Sequence, residues 1–312
     1  MREATMVPPA ILAGKPAPEP NSKPTVKRAW MEWIPLAVLP AVCIAFHSVW
    51  TSWAFMWLLA AAIFAGCKWQ TWWEVQRDGD ICNWRRSAAY LLLWPGMDAR
   101  KFLEPSLKMR RVGKQEWFAA VLKTMAGAVL IIAAKRIVIS DHPFWAAWIG
   151  MVGLVLFLHF GAFYLIALGW QRIGICAEPI MQRPLASKSL SEFWGKRWNL
   201  GFRALSHKLV FRPLQTRYGT VVGTLGAFFV SGLIHDVVIS VPARGGYGLP
   251  TAYFLVQGLG VLAERSQVGK TLGLGTGVEG RIWTISIAAG PVFFLFHPWF
   301  VARVMLPFLR AI

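Results

Sequence analysis

The sequence has 312 residues, of which 56% are hydrophobic and only 15% charged, and its mean hydropathy is +0.47. This composition excludes an ordinary soluble globular protein and is typical of a protein that crosses a membrane several times. The net charge of +18 does not indicate a nucleic-acid partner, because Lys and Arg lie in blocks between apolar segments. We expect those blocks to lie at the cytoplasmic face and to contact membrane lipids.

The chain divides into a polar tail and one long apolar region. Residues 1–28 are polar and rich in proline, which predicts a disordered cytoplasmic tail. Residues 29–312 are expected to form a single membrane-embedded domain. The four cysteines lack the spacing of metal ligands, so we expect no metal site.

The apolar region contains several segments near the length of about 20 residues that a membrane-spanning helix needs. Residues 30–49 and 53–69 predict a helical hairpin around a very short link. The short apolar stretch 88–94, followed by Pro95 and Gly96, predicts an interfacial or re-entrant helix. The remaining predicted spans are 117–134, 144–170, 218–241, 248–263, 282–296 and 299–309. We therefore predict an all-α polytopic membrane protein with seven to eight transmembrane helices plus interfacial or re-entrant helices.

Two large polar loops separate these spans. Residues 70–115 carry nine Lys or Arg against five Asp or Glu, and residues 171–217 carry nine against two. An excess of cations marks the cytoplasmic side of a membrane protein. Both loops and the amino-terminal tail are therefore predicted to be cytoplasmic.

The second loop contains a dense cluster of functional side chains at residues 193–199. Three aromatic residues, two cations and one amide share seven positions, in the order Phe193, Trp194, Gly195, Lys196, Arg197, Trp198 and Asn199. In a helix, Trp194 and Trp198 would share one face. An amphipathic anchor at the membrane interface would explain the aromatic residues. Such an anchor would not require Asn199.

His235 lies in the middle of the predicted span 218–241. An ionisable group there is costly unless it faces a cavity or a partner. A hydrogen-bonded packing histidine and a catalytic histidine both fit this position. Asp236 projects about 100° away on the same helix, which predicts a contact with another helix. His159, in the span 144–170, predicts a hydrogen bond between helices.

Two stretches together resemble the signatures of the wax-synthase-like branch of the membrane-bound O-acyltransferases (MBOAT), the long-chain-alcohol O-fatty-acyltransferase type. They read Ser-Leu-Ser-Glu-Phe-Trp-Gly-Lys-Arg-Trp-Asn at 189–199 and Ser-Gly-Leu-Ile-His-Asp at 231–236. The resemblance covers mainly residues 185–300. Lys196 stands where the family usually has Arg, and Asp236 where it usually has Glu. Neither departure changes a charge, although Lys lacks the bidentate geometry of Arg.

The resemblance implies a helical bundle with an internal tunnel, in which His235 is catalytic and Asn199 is its partner in the site. A fatty acyl group would pass from acyl-CoA, a co-substrate rather than a permanently bound cofactor, to a hydroxyl. The expected acceptor is a lipophilic alcohol, either a long-chain alcohol or a sterol, and the product is a wax-type ester. Two alternatives stay open: O-acylation of a sugar hydroxyl on a glycan or glycolipid, and a non-enzymatic membrane transporter or lipid-binding protein.

Coenzyme A carries several phosphates, so cations near the first signature are candidates for binding it. The predicted cofactor-binding residues are Lys196, Arg197, Arg203, Lys208, Trp194 and Trp198. For each cation, positive-inside topology is an alternative explanation. The predicted depth of His235 is a difficulty for a co-substrate that comes from the cytosol. A span that begins at residue 218 on the cytoplasmic side would place His235 about 25 Å along it.

Overall fold

The computed structural model describes residues 30–79, 83–104, 112–138 and 142–312, and the predicted tail at residues 1–28 lies outside this range. Within these residues every regular element is helical. Five helical segments are long and apolar enough to cross a membrane: Ser52–Arg77, Lys114–Ile137, Pro143–Arg172, Leu200–Ala243 and Gly277–Leu295. The fourth of these is divided into two helices at Gly219. The all-α class is therefore confirmed, and the chain is an integral membrane protein. Five of the seven to eight predicted spans meet the length and composition criterion in this part of the chain.

The helices follow one another along the chain in a simple order. They are α1 (Ile34–Ala45), α2 (Ser52–Arg77), α3 (Trp84–Leu93), α4 (Ala99–Leu103), α5 (Lys114–Val138), α6 (Pro143–Arg172), α7 (190–197), α8 (200–218), α9 (220–243), α10 (Leu249–Arg265), α11 (Gln267–Thr271), α12 (Gly277–Ala289), α13 (Val292–Leu295) and α14 (298–311). Segments of π-helix occur within α6, α7, α8, α9 and α14. Such segments are frequent near functional sites.

The amino-terminal part of the bundle differs from the sequence prediction in one helix. The predicted span 30–49 contains only the 12 residues of α1, which are too few to cross a bilayer. This helix packs against α2 at Gly66, where a Cβ would lie 2.8 Å from the backbone nitrogen of Leu36. The apolar stretch before Pro95 forms the ten-residue helix α3, in agreement with the predicted short helix.

Helices α5 and α6 pack in close antiparallel contact because small residues face each other. A Cβ on Gly127 would overlap the backbone nitrogen of Phe157 and would lie 2.8 Å from the carbonyl oxygen of Gly153. A Cβ on Gly153 would lie 2.9 Å from the side chain of Ile131. The two backbones therefore approach so closely that only glycine fits.

Gly127→Ala is expected to destabilise the protein by about 1–3 kcal/mol, because the added methyl group overpacks this contact. The melting temperature in detergent measures the effect. Gly169→Ala, in α6, is the matched control, since a Cβ there meets nothing within 4 Å. Equal melting temperatures for the two variants would contradict the close packing of α5 on α6.

Helices α8 and α9 are the two arms of one helical hairpin. Gly219 has φ 89° and ψ 170°, a conformation that glycine adopts far more readily than other residues, and the chain reverses there. After the turn, a Cβ on Gly223 would lie 3.0 Å from the carbonyl oxygen of Phe211. The prediction of a polar loop over 171–217 is therefore wrong from residue 200 onward, because those residues form a helix that packs back on α9.

The hairpin determines where the two signature residues lie. Asn199 begins the first arm and His235 lies toward the end of the second arm. Because the arms are antiparallel, both residues lie at the end remote from Gly219. Helix α10 then runs antiparallel to α9, with Gly232 against Thr251 at one level and Gly258 against Phe228 at another.

Candidate active site

A cavity of about 250 Å³ lies between α7, α8, α9 and α10. Asn199 and His235 both line it, and so do Trp194 and Trp198. The structure thus brings together the two residues predicted to be catalytic, which come from different arms of the hairpin. One face of α9 supplies a wall, with residues at helical spacing: Thr224, Ala227, Phe228, Ser231 and His235.

The imidazole of His235 has a defined orientation. Its Nδ1 lies 2.7 Å from the carbonyl oxygen of Ser231. A carbonyl oxygen only accepts hydrogen bonds, so Nδ1 carries the hydrogen and Nε2 of the neutral ring is the basic nitrogen. The ring packs on Phe254 with centroids 4.4 Å apart. His235 therefore has the tautomer that a proton acceptor at Nε2 requires.

Asn199 combines an unusual backbone conformation with a cap. Its φ of 41° and ψ of 59° lie in the left-handed region, which Asn tolerates better than most residues. Its Oδ1 accepts from the backbone N–H of Phe202 at 3.4 Å and caps the start of α8. Because Oδ1 faces that N–H, the Nδ2 amide points away, and it has no hydrogen-bond partner in the described part of the chain. Asn199 thus has an amide donor available beside the cavity.

Helix α7, which carries the first signature, is hydrogen-bonded to polar side chains of α10. Glu264 is only 6% exposed, and its carboxylate accepts from the backbone N–H of Leu190 at 2.5 Å, at the start of α7. Gln257 is fully buried. It accepts from Trp194 Nε1 at 3.2 Å and donates to the carbonyl oxygen of Ile287 at 2.7 Å. Sequence reasoning did not assign these anchoring roles, which need the tertiary contact to be recognised.

The two signature tryptophans make different packing contacts. Trp194 has its ring centroid 5.8 Å from Phe228 and 5.7 Å from Phe254. Trp198 stacks on Phe193 at 5.4 Å, with an angle of 17° between the rings. Residues Phe193–Arg197 form a π-helical turn rather than an α-helical one, so the predicted shared helical face is replaced by an edge contact between the two rings. A contact of either tryptophan with a co-substrate stays a prediction.

Of the four cations predicted to bind phosphate, only Arg203 lines the cavity. Lys208 pairs with Glu74 of α2, and Lys196 is exposed without a partner among the residues that the structure describes. Arg203 is exposed, and two other exposed residues of the cavity lining, His207 and Arg265, complete its mouth. Sequence reasoning did not single out these two.

Arg197 forms hydrogen bonds within the segment that carries the first signature and with residues just before it. Its Nε and Nη2 donate to Glu192 Oε1 at 2.9 and 2.6 Å, and Nη1 lies 3.3 Å from the carbonyl oxygens of Gln182 and Arg183. The backbone N–H of Lys188, together with Arg197, holds the pKa of the Glu192 carboxyl below its usual value. The ion pair is therefore present throughout the neutral range. A phosphate role for Lys196, Arg197 and Lys208 stays a prediction, since all three lie off the cavity wall.

Asp236 contacts another helix, as predicted. One carboxylate oxygen accepts from the backbone N–H of Gly248 at 2.8 Å, and the other accepts from that of Thr251 at 3.1 Å and from its hydroxyl. These contacts hold the start of α10, which carries Phe254. Asp236 therefore positions the ring that packs on His235.

His159 is buried within α6, where a hydrogen bond to another helix was predicted. Its Nδ1 has no hydrogen-bond partner in the described structure, and its ring packs against Phe163 with centroids 5.5 Å apart. The predicted helix-to-helix hydrogen bond at Nδ1 is thus absent from this part of the chain. The contact with Phe163 lies within the same helix.

The part of the chain that forms most of the cavity matches a known protein family. Residues 177–256, which include α7, α8, α9 and the start of α10, match the membrane bound O-acyl transferase family. The match covers 80 of the 312 residues and includes both signatures, so it agrees with the resemblance seen in them.

Several individual proteins are similar to part of the chain, and their names are those of alcohol and sterol acyltransferases. The chain is 29% identical over 133 residues to the probable long-chain-alcohol O-fatty-acyltransferase 8 of Arabidopsis thaliana, covering 40% of each chain. It is 31% identical over 104 residues to the probable long-chain-alcohol O-fatty-acyltransferase 7, covering 30% of each. It is 32% identical over 68 residues to the acyl-CoA--sterol O-acyltransferase 1 of the same plant, covering 20% of each. The aligned part of the chain thus spans at most 40% of the length of these relatives.

Proposed function

We propose that the protein transfers a fatty acyl group from acyl-CoA to the hydroxyl of a lipophilic alcohol. One observation carries the proposal: Asn199 and His235, from opposite arms of one hairpin, line the same cavity. A general base and an amide donor that face the same cavity are the groups that direct acyl transfer needs.

The chemistry follows from the available atoms. His235 Nε2 takes the proton from the alcohol as its oxygen bonds to the thioester carbonyl carbon. The oxyanion of the tetrahedral intermediate accepts a hydrogen bond from Asn199 Nδ2. Collapse of the intermediate breaks the carbon–sulfur bond, and His235 returns the proton to the departing coenzyme A thiolate. The ester and coenzyme A are the products.

A covalent acyl-enzyme is not required by this arrangement. Ser231 is the hydroxyl nearest to His235 in sequence, but its Oγ donates to the carbonyl oxygen of Ala227 at 2.9 Å. Its hydroxyl is therefore engaged in the helix, and His235 contacts the backbone of Ser231 instead. Direct attack by the acceptor alcohol is the simpler route.

The residues at the mouth of the cavity support the proposal that the co-substrate is negatively charged. Its exposed lining residues are Arg203, His207 and Arg265, all of which carry nitrogen donors. A phosphate-bearing cofactor at this mouth could extend its thiol arm inward to His235. The depth of His235 in its helix is then no obstacle, because the antiparallel arm α8 brings Asn199 and the basic mouth alongside α9.

The residues of the inner cavity wall support the proposal that the acceptor is lipophilic. Trp194, Phe228 and Phe254 cover it with aromatic surface, and the side chain of Ser231 is already hydrogen-bonded. A sugar would leave several hydroxyls without partners on such a wall. The names of the relatives, long-chain-alcohol and sterol acyltransferases, agree with an acceptor of this kind. We propose a long-chain alcohol or a sterol, and hence a wax-type or steryl ester.

The test is an assay of purified protein in detergent with acyl-CoA and a panel of acceptors: long-chain primary alcohols, a sterol and an alkyl glycoside. Free thiol and ester are measured together. We expect thiol release in equal amount to ester, with a long-chain alcohol or the sterol as acceptor. Ester on the glycoside alone would support the sugar alternative. Folded protein that forms no ester with any acceptor would contradict the proposal and leave the transporter alternative.

A further inference from the structure

One fully buried lysine lies outside the cavity. Lys68 is only 1% exposed, and it lies well inside α2, a helix long enough to cross a membrane. No carboxylate pairs with it in the part of the chain that the structure describes. A buried ammonium is costly unless other groups compensate its charge and accept its hydrogens. The groups that do so therefore indicate what the side chain holds in place.

Two groups contact the ammonium of Lys68. Its Nζ donates to the carbonyl oxygen of Gly96 at 2.7 Å and lies 3.0 Å from the centre of the Tyr90 ring. The first contact is a charge-assisted hydrogen bond and the second is a cation–π interaction. Tyr90 is itself completely buried, and its hydroxyl is hydrogen-bonded to Thr71 of α2 at 2.8 Å. The ammonium thus joins α2 to α3 and to segment 95–97, the three residues Pro-Gly-Met that follow α3.

Segment 95–97 lies directly against the start of α8. A Cβ on Gly201 would lie 3.2 Å from the backbone nitrogen of Met97 and 3.6 Å from the Cα of Gly96. The first of these distances is shorter than most Cβ contacts, so the two backbones approach closely. Gly201 lies two residues after Asn199, in the first turn of α8. A displacement of segment 95–97 would therefore move the backbone that carries the Asn199 amide.

A buried apolar cluster supports the same contact. It contains Cys67 of α2, Met97 of segment 95–97 and Leu205 of α8. Phe202 packs against this cluster, and its backbone N–H is the one that donates to Asn199 Oδ1. Helix α2 is therefore packed, through segment 95–97, against the turn of α8 that Asn199 caps.

We propose that Lys68 is a positioning residue for acyl transfer. By binding the Gly96 carbonyl, its ammonium fixes segment 95–97, which in turn fixes the first turn of α8 and the placement of the Asn199 amide beside the cavity. This inference rests on the proposed function and adds a residue that contacts neither substrate. A misplacement of about 1 Å in a reacting site can lower the rate about 10²-fold, so a hydrogen bond outside the cavity can control kcat.

The first experiment compares Lys68→Met with Lys68→Gln. The two new side chains have equal length, and only glutamine can donate a hydrogen bond to the Gly96 carbonyl. We expect Lys68→Met to lower kcat about 10- to 100-fold and Lys68→Gln to lower it less. Ester formation from acyl-CoA and a long-chain alcohol measures kcat, and the melting temperature in detergent records the change in stability. Equal losses of kcat in the two variants would contradict a role for this hydrogen bond.

A double-mutant cycle with Asn199→Asp shows whether Lys68 acts through Asn199. Asn199→Asp keeps the cap of α8 but has no amide donor. In that background Lys68→Met should lower kcat less than about 3-fold, because no donor is left to misplace. An equal fold-loss in both backgrounds would mean that Lys68 only supports the fold, and would overturn the inference.

Gly201→Ala tests the same contact from the other side, and does so even if Lys68→Met does not fold. The new methyl group presses on Met97, while alanine is a better helix former than glycine and offsets the cost of that contact. We expect kcat to fall about 3- to 10-fold with little change in melting temperature. Gly169→Ala, where a Cβ meets nothing within 4 Å, is the matched control and should keep full turnover.

Failure of this inference and failure of the proposed function give different results. If the unmodified protein forms ester, and Lys68→Met and Gly201→Ala both keep its kcat, the function stands and the positioning role is wrong. If the unmodified, folded protein forms no ester with any acceptor, the proposed function is contradicted, and the positioning role with it.

Discussion

His235→Ala is expected to lower kcat by about 10²- to 10⁴-fold, the range that a positioned general base contributes. Only the Nε2 side of the ring is available for this role, because Nδ1 is held by the carbonyl oxygen of Ser231. Binding of acyl-CoA should be retained, since the proposed phosphate contacts are made by the basic residues at the cavity mouth. Thiol release measures kcat, and a shift in melting temperature on adding acyl-CoA measures binding.

The control for this variant is His142→Ala, an exposed histidine at the start of α6 that does not line the cavity. It should keep the turnover of the unmodified protein. If His235→Ala also keeps full turnover, another group removes the proton and the mechanism is wrong.

Asn199→Ala is the second variant with a large expected effect, because it removes the amide donor to the oxyanion. Loss of one such donor typically lowers kcat about 10²- to 10³-fold. The same change also removes the cap of α8, at a cost of about 0.5–2 kcal/mol, and places alanine in a left-handed conformation. Both kcat and the melting temperature should therefore fall.

Asn199→Asp separates these two effects. Aspartate caps helices as well as asparagine does and tolerates the left-handed region, so the melting temperature should be nearly unchanged. It has no amide donor and brings negative charge toward the oxyanion, so kcat should fall at least as far as in Asn199→Ala. Normal turnover in Asn199→Asp would show that the amide takes no part in the reaction.

The longest helices could be predicted from the sequence because their apolar runs are continuous. Helices α2, α5 and α6 all extend beyond the predicted limits, since polar residues at their ends continue the backbone hydrogen bonding. Helix α8 was missed because Arg203 and Lys208 make it resemble a polar loop. Its turn at Gly219 was missed because a single glycine between helical residues does not by itself indicate a reversal.

The site could be predicted in part. The pairing of Asn199 with His235 came from the two signatures, since composition alone favours an interface anchor. The phosphate candidates show why counts of charge are insufficient: Arg197 and Lys208 are paired with Glu192 and Glu74, and the second of these comes from a distant helix. Arg265 was overlooked because its position at the cavity mouth depends on how α10 packs against α9.

The reversal at Gly219 makes the alignment of the catalytic pair a local property of the chain. Asn199 and His235 belong to a single contiguous hairpin, so the number of residues in its arms fixes which faces they present to each other. One inserted residue would rotate an arm by about 100° and would turn either the amide or the imidazole away from the cavity. The number of residues between the two signatures is therefore as important for catalysis as the identity of Asn199 and His235.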